Sequence, residues 1–146
     1  MSVNPRIAAR TIDEALRAKL ALAHGQGLEP SVVTQFGFDA EPIRRWIGAL
    51  RDRDIFCPVR IGVAGPATVA TLAKYAVRCG IGSSLRALAR GHTAFARILA
   101  EAGPDALIEK LVAGEDSAQA IDGLHLFTFG GVRRTAEWIS GYLRRP

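Results

Sequence analysis

The sequence predicts an α/β domain with about three parallel strands and flanking helices, on three observations. Short β-branched or aromatic runs alternate with longer segments of helical spacing. Glycine or proline punctuates the joins between them. The alternation continues over residues 1–146 without a repeat, linker or low-complexity tract, so one domain is expected. Strand then helix, three times over, is the order of βαβ units and therefore of a parallel sheet.

The first segment, TIDEALRAKLALAH from Thr11 to His24, carries Ile12, Leu16, Leu20 and Ala23 at helical spacing. Thr11 and Glu14 stand in capping-box register, and Gly25 and Gly27 stop the pattern. Ser31 to Phe36 is a strand by its β-branched content. Glu41 to Arg53 is a helix with Ile43, Trp46, Ile47 and Leu50 on its apolar side. The second strand is PVRIGVA, Pro58 to Ala64, and the next helix is Ala67 to Cys79, broken by Gly80 and Gly82. Ser83 to Gly114 reads as two or three helical pieces, with Pro104 opening the last. LHLFTF, Leu124 to Phe129, is the third strand, and Val132 to Leu143 the closing helix.

Composition narrows the function classes. No apolar run reaches the ~20 residues that span a bilayer. The N-terminal stretch has no apolar signal core and contains acidic residues, so a cytoplasmic location without membrane association is expected. Cys57 and Cys79 are too few and too separated for a zinc site or a disulfide framework, and both read as reduced core thiols. The formal charge of +5 permits an anionic partner. The arginine pairs 44–45, 133–134 and 144–145 are nevertheless spread over separate helices without interleaved aromatics, which argues against nucleic acid. His24, His92 and His125 stand at no metal or triad spacing, and no metal site is expected.

In parallel α/β folds the chemistry sits where strands end and helices begin. Gln35 to Asp39, Gly62 to Thr68 and Thr128 to Val132 are expected to converge there. Within that edge Phe36 and Phe38 share one side and are expected to pack against the helices. Gly37 reads as a point of close backbone approach, and Asp39 as the cap of the next helix. GVAGPAT has amides that could meet an anion at a helix N-terminus, although Pro66 simply opening the helix explains it as well. Three parallel strands leave both sheet edges open and need cover on both faces, so the chain reads as the second half of something larger.

The series NPRI, AKLALA, VVTQFGFDAEPI, PVRIGVAGPATVATLAKYA and LHLFTFGG resembles the flavin-dependent methylenetetrahydrofolate reductases, and in particular the short bacterial type. The similarity runs over nearly all of the chain but covers only the C-terminal half of the family's (β/α)₈ barrel. The three strands would match strands six, seven and eight. A partial (β/α)₈, TIM-barrel-like domain is what the resemblance implies. It also implies an oxidoreductase of one-carbon metabolism. In that family NAD(P)H reduces FAD, and the flavin reduces methylenetetrahydrofolate to methyltetrahydrofolate.

The same resemblance suggests individual roles. Gln35 stands where the family hydrogen-bonds the folate ring, and an amide offers both donor and acceptor to a pterin edge. From the residues alone Gln35 caps the βα turn. Tyr75 matches an aromatic that stacks on folate or nicotinamide, and Thr71, one turn earlier, a substrate contact that is Gln in some relatives. Periodicity by itself makes Tyr75 a half-buried helix aromatic. Lys19 matches a lysine that reaches the flavin's phosphate region, or else is a solvated lysine on an amphipathic helix. Asn4 stands where the family has His. Gly131 stands where some relatives carry an Arg near substrate.

The family's acid residue and much of its flavin site belong to the first five strands. A barrel of this kind takes ~250 residues, so activity is expected to need an N-terminal half-barrel partner. The alternative is a non-catalytic half-barrel that binds folate or another protein, self-associating through its open edges.

Overall fold

The computed structural model describes residues 9–80, 103–113 and 121–145. Among them are, in chain order, helix α1 (Ala9–Gly25), strand β1 (Val32–Val33), α2 (Ala40–Arg51) and β2 (Val59–Ala64). There follow α3 (Val69–Arg78), α4 (Asp105–Val112), β3 (Ile121–Phe127) and α5 (Val132–Tyr142). The strands form one parallel sheet in the order β1-β2-β3, as the βαβ reading requires.

β2 is the centre of the sheet. Val59, Ile61 and Val63 alternate onto one face and are essentially inaccessible to solvent. They meet Ile43, Ile47 and Leu50 of α2 and Leu107 and Leu111 of α4, with Leu16 and Leu20 of α1 at the margin. The i, i+4, i+7 spacing of the α2 residues makes that contact possible. Each fully buried aliphatic side chain there contributes about 1.5–3 kcal/mol of transfer free energy. A second cluster gathers Phe36, Phe38, Ala64, Ala67, Leu72 and Ala76, flanked by Tyr75, Phe127 and Phe129.

Among the described residues the other face of the sheet is only partly covered. Val33 and Arg60 are register partners, as are Gly62 and His125, so these side chains share a face. Val33 is 47% exposed, and Arg60 and His125 also reach solvent. Parallel strands ordinarily have both faces covered.

Several boundaries differ from the sequence reading for local reasons. α1 begins at Ala9, so Thr11 lies inside the helix and no capping box forms with Glu14, which instead pairs with Arg10 at 2.7 Å. β1 is confined to Val32–Val33 because the Thr34 hydroxyl, and not a main-chain carbonyl, accepts the Gly62 N–H at 2.8 Å. The pairing resumes only as an isolated bridge between Gly37 and Val63. β3 starts three residues earlier than expected and ends at Phe127, where Phe129 N–H bonds back to the Phe127 carbonyl at 2.8 Å. Of the helical pieces expected between Ser83 and Gly114, α4 is present with Pro104 at its N-cap; residues 83–102, including His92, lie outside the described residues, as does Asn4.

Asp39 caps α2 as expected, its carboxylate accepting the Glu41 N–H at 3.2 Å. Pro66 does not open α3. Thr68 is the N-cap there, and its hydroxyl accepts the Thr71 N–H at 3.2 Å. Cys57 is buried and Cys79 half-buried, and both are free thiols. No helix among the described residues is long and apolar enough to cross a membrane.

The glycine in β2 has no room to grow. A Cβ at Gly62 would lie 2.3 Å from the Thr34 carbonyl oxygen and 2.8 Å from the Gln35 carbonyl carbon. Gly62→Ala is therefore expected to lower stability by about 1–3 kcal/mol through forced displacement of backbone. The measurement is the urea unfolding midpoint, and an unchanged midpoint would refute the tight β1–β2 approach.

Candidate functional site

The carboxyl ends of the strands do converge. Gly65 N–H bonds to the Phe127 carbonyl at 3.0 Å, which ties the loop after β2 to the end of β3. A Cβ at Gly130 would lie 2.0 Å from the Pro66 carbonyl oxygen, so these two loops touch backbone to backbone and glycine is required. The Phe36 and Phe129 ring centroids are 4.8 Å apart, edge to face, and Phe36 meets Phe38 in the same manner at 5.7 Å. Gly37, by contrast, is not a point of unusual approach, since a Cβ there would make ordinary contact with Ile43 at 3.4 Å.

The four residues singled out from sequence fall in two places. Gln35 and Lys19 line one cleft of about 380 Å³. One wall is α1, through Thr11, Ile12, Asp13, Ala15, Leu16 and Lys19; the other is the β1 segment from Val32 to Gln35, with Trp46 of α2 beneath. Tyr75 and Thr71 stand on α3 and do not line this cleft. The Tyr75 ring stacks on Phe129, with centroids 4.3 Å apart and planes 19° from parallel, so one of its faces is already covered. The Thr71 hydroxyl lies 2.9 Å from that of Thr68 and belongs to the cap of α3.

Within the cleft the polar groups are differently engaged. The Gln35 side-chain oxygen accepts the Phe36 N–H at 3.1 Å, which is the turn-capping role read from the residues alone. Its amide NH₂ makes no hydrogen bond among the described residues and can donate to a ligand acceptor. Asp13 is held by Arg53 in an ion pair that fastens α1 to the end of α2. Arg17 strengthens the same join by donating to the Arg53 carbonyl at 2.7 Å. Lys19 is exposed and has no ion pair among the described residues.

Small-molecule pockets occupy about 300–1,000 Å³, so a cleft of this size suits one fused ring system with a polar edge. FAD is a different matter. Among the described residues Lys19 is the single cationic side chain lining the cleft, and no glycine lines it to cradle a pyrophosphate. The described residues do not fit FAD as a whole. No group of three or more His, Cys, Asp or Glu among them is arranged for a metal ion.

Sequence reasoning missed several participants. Trp46, Ile12 and Asp13 are unremarkable amphipathic-helix residues in one dimension and become cleft wall only when α1 lies over β1. Nor was there a linear signal for Asp105, which is buried at the start of α4. Its carboxylate accepts the Trp138 indole N–H at 2.8 Å and pairs with Arg145, joining α4 to α5. Thr34 could have been found, because a hydroxyl two residues from both Val32 and Phe36, on their side of the chain, invites the question of what it bonds.

Thr34→Val removes the acceptor of the Gly62 N–H and leaves that buried donor unpaired. The expected loss is about 1–3 kcal/mol, read by chemical unfolding, together with faster exchange of the Gly62 amide. Retained protection of that amide would refute the hydroxyl's part in the ladder.

No family model matches the chain.

Proposed function

We propose that this chain is the C-terminal half of a methylenetetrahydrofolate reductase-like barrel, contributing pterin contacts to an enzyme whose flavin site and acid residue come from a complementary N-terminal half. The supporting observation is that Gln35 and Lys19, separately suggested by resemblance, line one cleft of ring-system size. The Gln35 amide NH₂ is available to a pterin acceptor, and Trp46 adds aromatic surface at the floor. The parallel strand order and the exposed second sheet face agree with a sheet built to be continued. Tyr75 and Thr71 would serve this reading only where ligand extends from the cleft towards α3. Because FAD does not fit the described residues, it would be held mainly by the complementary half, which would also receive NAD(P)H.

The reading is tested by expressing the 146-residue chain alone and together with strands one to five of a short bacterial methylenetetrahydrofolate reductase. The chain alone should elute without flavin absorbance, and the pair should co-elute with it. In the pair, Gln35→Ala should weaken folate binding by up to about tenfold, the worth of one hydrogen bond. Unchanged folate affinity would remove the pterin role from Gln35. A folded, flavin-free pair that does not reduce folate would favour the non-catalytic module.

A further inference from the structure

Helix α5 has two faces of different character. Thr135, Trp138 and Tyr142 turn inward at i, i+3 and i+7 spacing. Thr135 is buried against the loop at Gly65, and the Trp138 indole donates to Asp105 of α4. At about 100° per residue, the direction opposite these three falls on Ser140. Ala136 and Leu143 lie to one side of it, and Arg133, Glu137 and Arg144 to the other. Helical bonding continues past Tyr142, since Leu143 N–H bonds to the Ile139 carbonyl at 3.0 Å and Arg144 N–H to that of Gly141 at 3.4 Å.

This outer face is uncovered. Leu143 is 76% exposed, and Ala136 and Ser140 also reach solvent. Arg133, Ala136, Glu137, Ser140, Gly141 and Arg144 line a shallow groove of about 440 Å³. Arg133, Glu137 and Arg144 have no ion pair among the described residues. A solvated helix face pairs such charges locally, as Arg10 does with Glu14 on α1 at the same spacing and in the same order as Arg133 and Glu137. On α5 an apolar flank stands instead beside unpaired charges of both signs.

The spacing makes the face complementary to itself. Glu137 and Arg144 are two helical turns apart on one side of the helix. Rotation about a two-fold axis between Ser140 and Gly141 sets Arg144 of an antiparallel second α5 opposite Glu137, and its Glu137 opposite Arg144. The same rotation lays each Leu143 beside the other copy's Ala136 and brings the two small Ser140 side chains together at the crossing. A partner helix of one charge sign would repel either Glu137 or Arg144, whereas a second copy satisfies both.

We infer that the outer face of α5 docks a second copy of this chain, as a two-fold dimer held by two Glu137–Arg144 pairs and by Leu143 against Ala136. The dimer goes beyond the reductase reading and does not depend on it, for it uses neither the α1–β1 cleft nor the sheet edges. A single helix crossing buries less than the ~1,200 Å² of a standard interface, so the association is weak and concentration-dependent.

The test is the mass of the intact chain by sedimentation, over a concentration series reaching about 1 mM. Salt at ~0.15 M screens the repulsion between two chains, each of formal charge +5. Monomer should pass reversibly into dimer. Glu137→Arg opposes arginine with arginine, and Arg144→Glu opposes glutamate with glutamate, so each should weaken dimerisation by at least about tenfold. Both substitutions are at exposed positions and should leave the far-UV spectrum unchanged. Mixed one to one, the two variants should form a heterodimer, because every opposed pair then has opposite sign. A monomer at every concentration, a dimer indifferent to both reversals, or no heterodimer from the mixture would each overturn the inference.

Discussion

The burial of β2 between two neighbouring strands and beneath α2 and α4 constrains every other described element. Val59, Ile61 and Val63 can leave solvent only if apolar helix faces cover them, which places Ile43, Ile47 and Leu50 on one side of the sheet and fixes the rotation of α2. On the opposite side Gly62 admits β1 so closely that a methyl group would strike its backbone. The Thr34 hydroxyl then takes over a main-chain bond, and β1 is cut short. A short β1 leaves Gln35 outside the ladder, free to turn its side chain onto the next amide and to border the cleft. One close approach thus sets the strand length, the turn and the position of the candidate ligand contact.

The carboxyl edge is packed with its own aromatic rings. Phe36, Phe38, Phe127 and Phe129 form a cluster onto which Tyr75 stacks. Such pairs contribute about 0.5–1.5 kcal/mol each beyond area burial, and they give the loop ends a rigid floor. The same packing separates the candidate residues. Gln35 and Lys19 face the edge of the sheet beneath α1, whereas Tyr75 and Thr71 are occupied by Phe129 and by the cap of α3.

Cover is distributed unequally. The face under α2 and α4 is closed, and ion pairs tie its periphery, Arg53 with Asp13 and Arg145 with Asp105. On the other face Val33, Arg60 and His125 are exposed to solvent. An α/β layer gains most of its stability from two-sided burial, and among the described residues that burial is complete only on the face under α2 and α4.

How much of this was legible in the sequence follows from the range of each interaction. Period and punctuation are local, and they determined the alternation of elements, the parallel class, the apolar side of α2 and the Asp39 cap, because those depend on residues within a turn or two of each other. The candidate residues Gln35, Lys19, Tyr75 and Thr71 were suggested by motif resemblance, which carries identity and position but no distances. Only the tertiary structure decided that Gln35 and Lys19 share a cleft while Tyr75 is stacked away from it, that Gly62 and Gly130 mark backbone contacts across some thirty and sixty residues (from Thr34 and Pro66 respectively), and that β1 stops after two residues. Each of these depends on which distant backbone comes within van der Waals contact, and linear spacing holds no record of that.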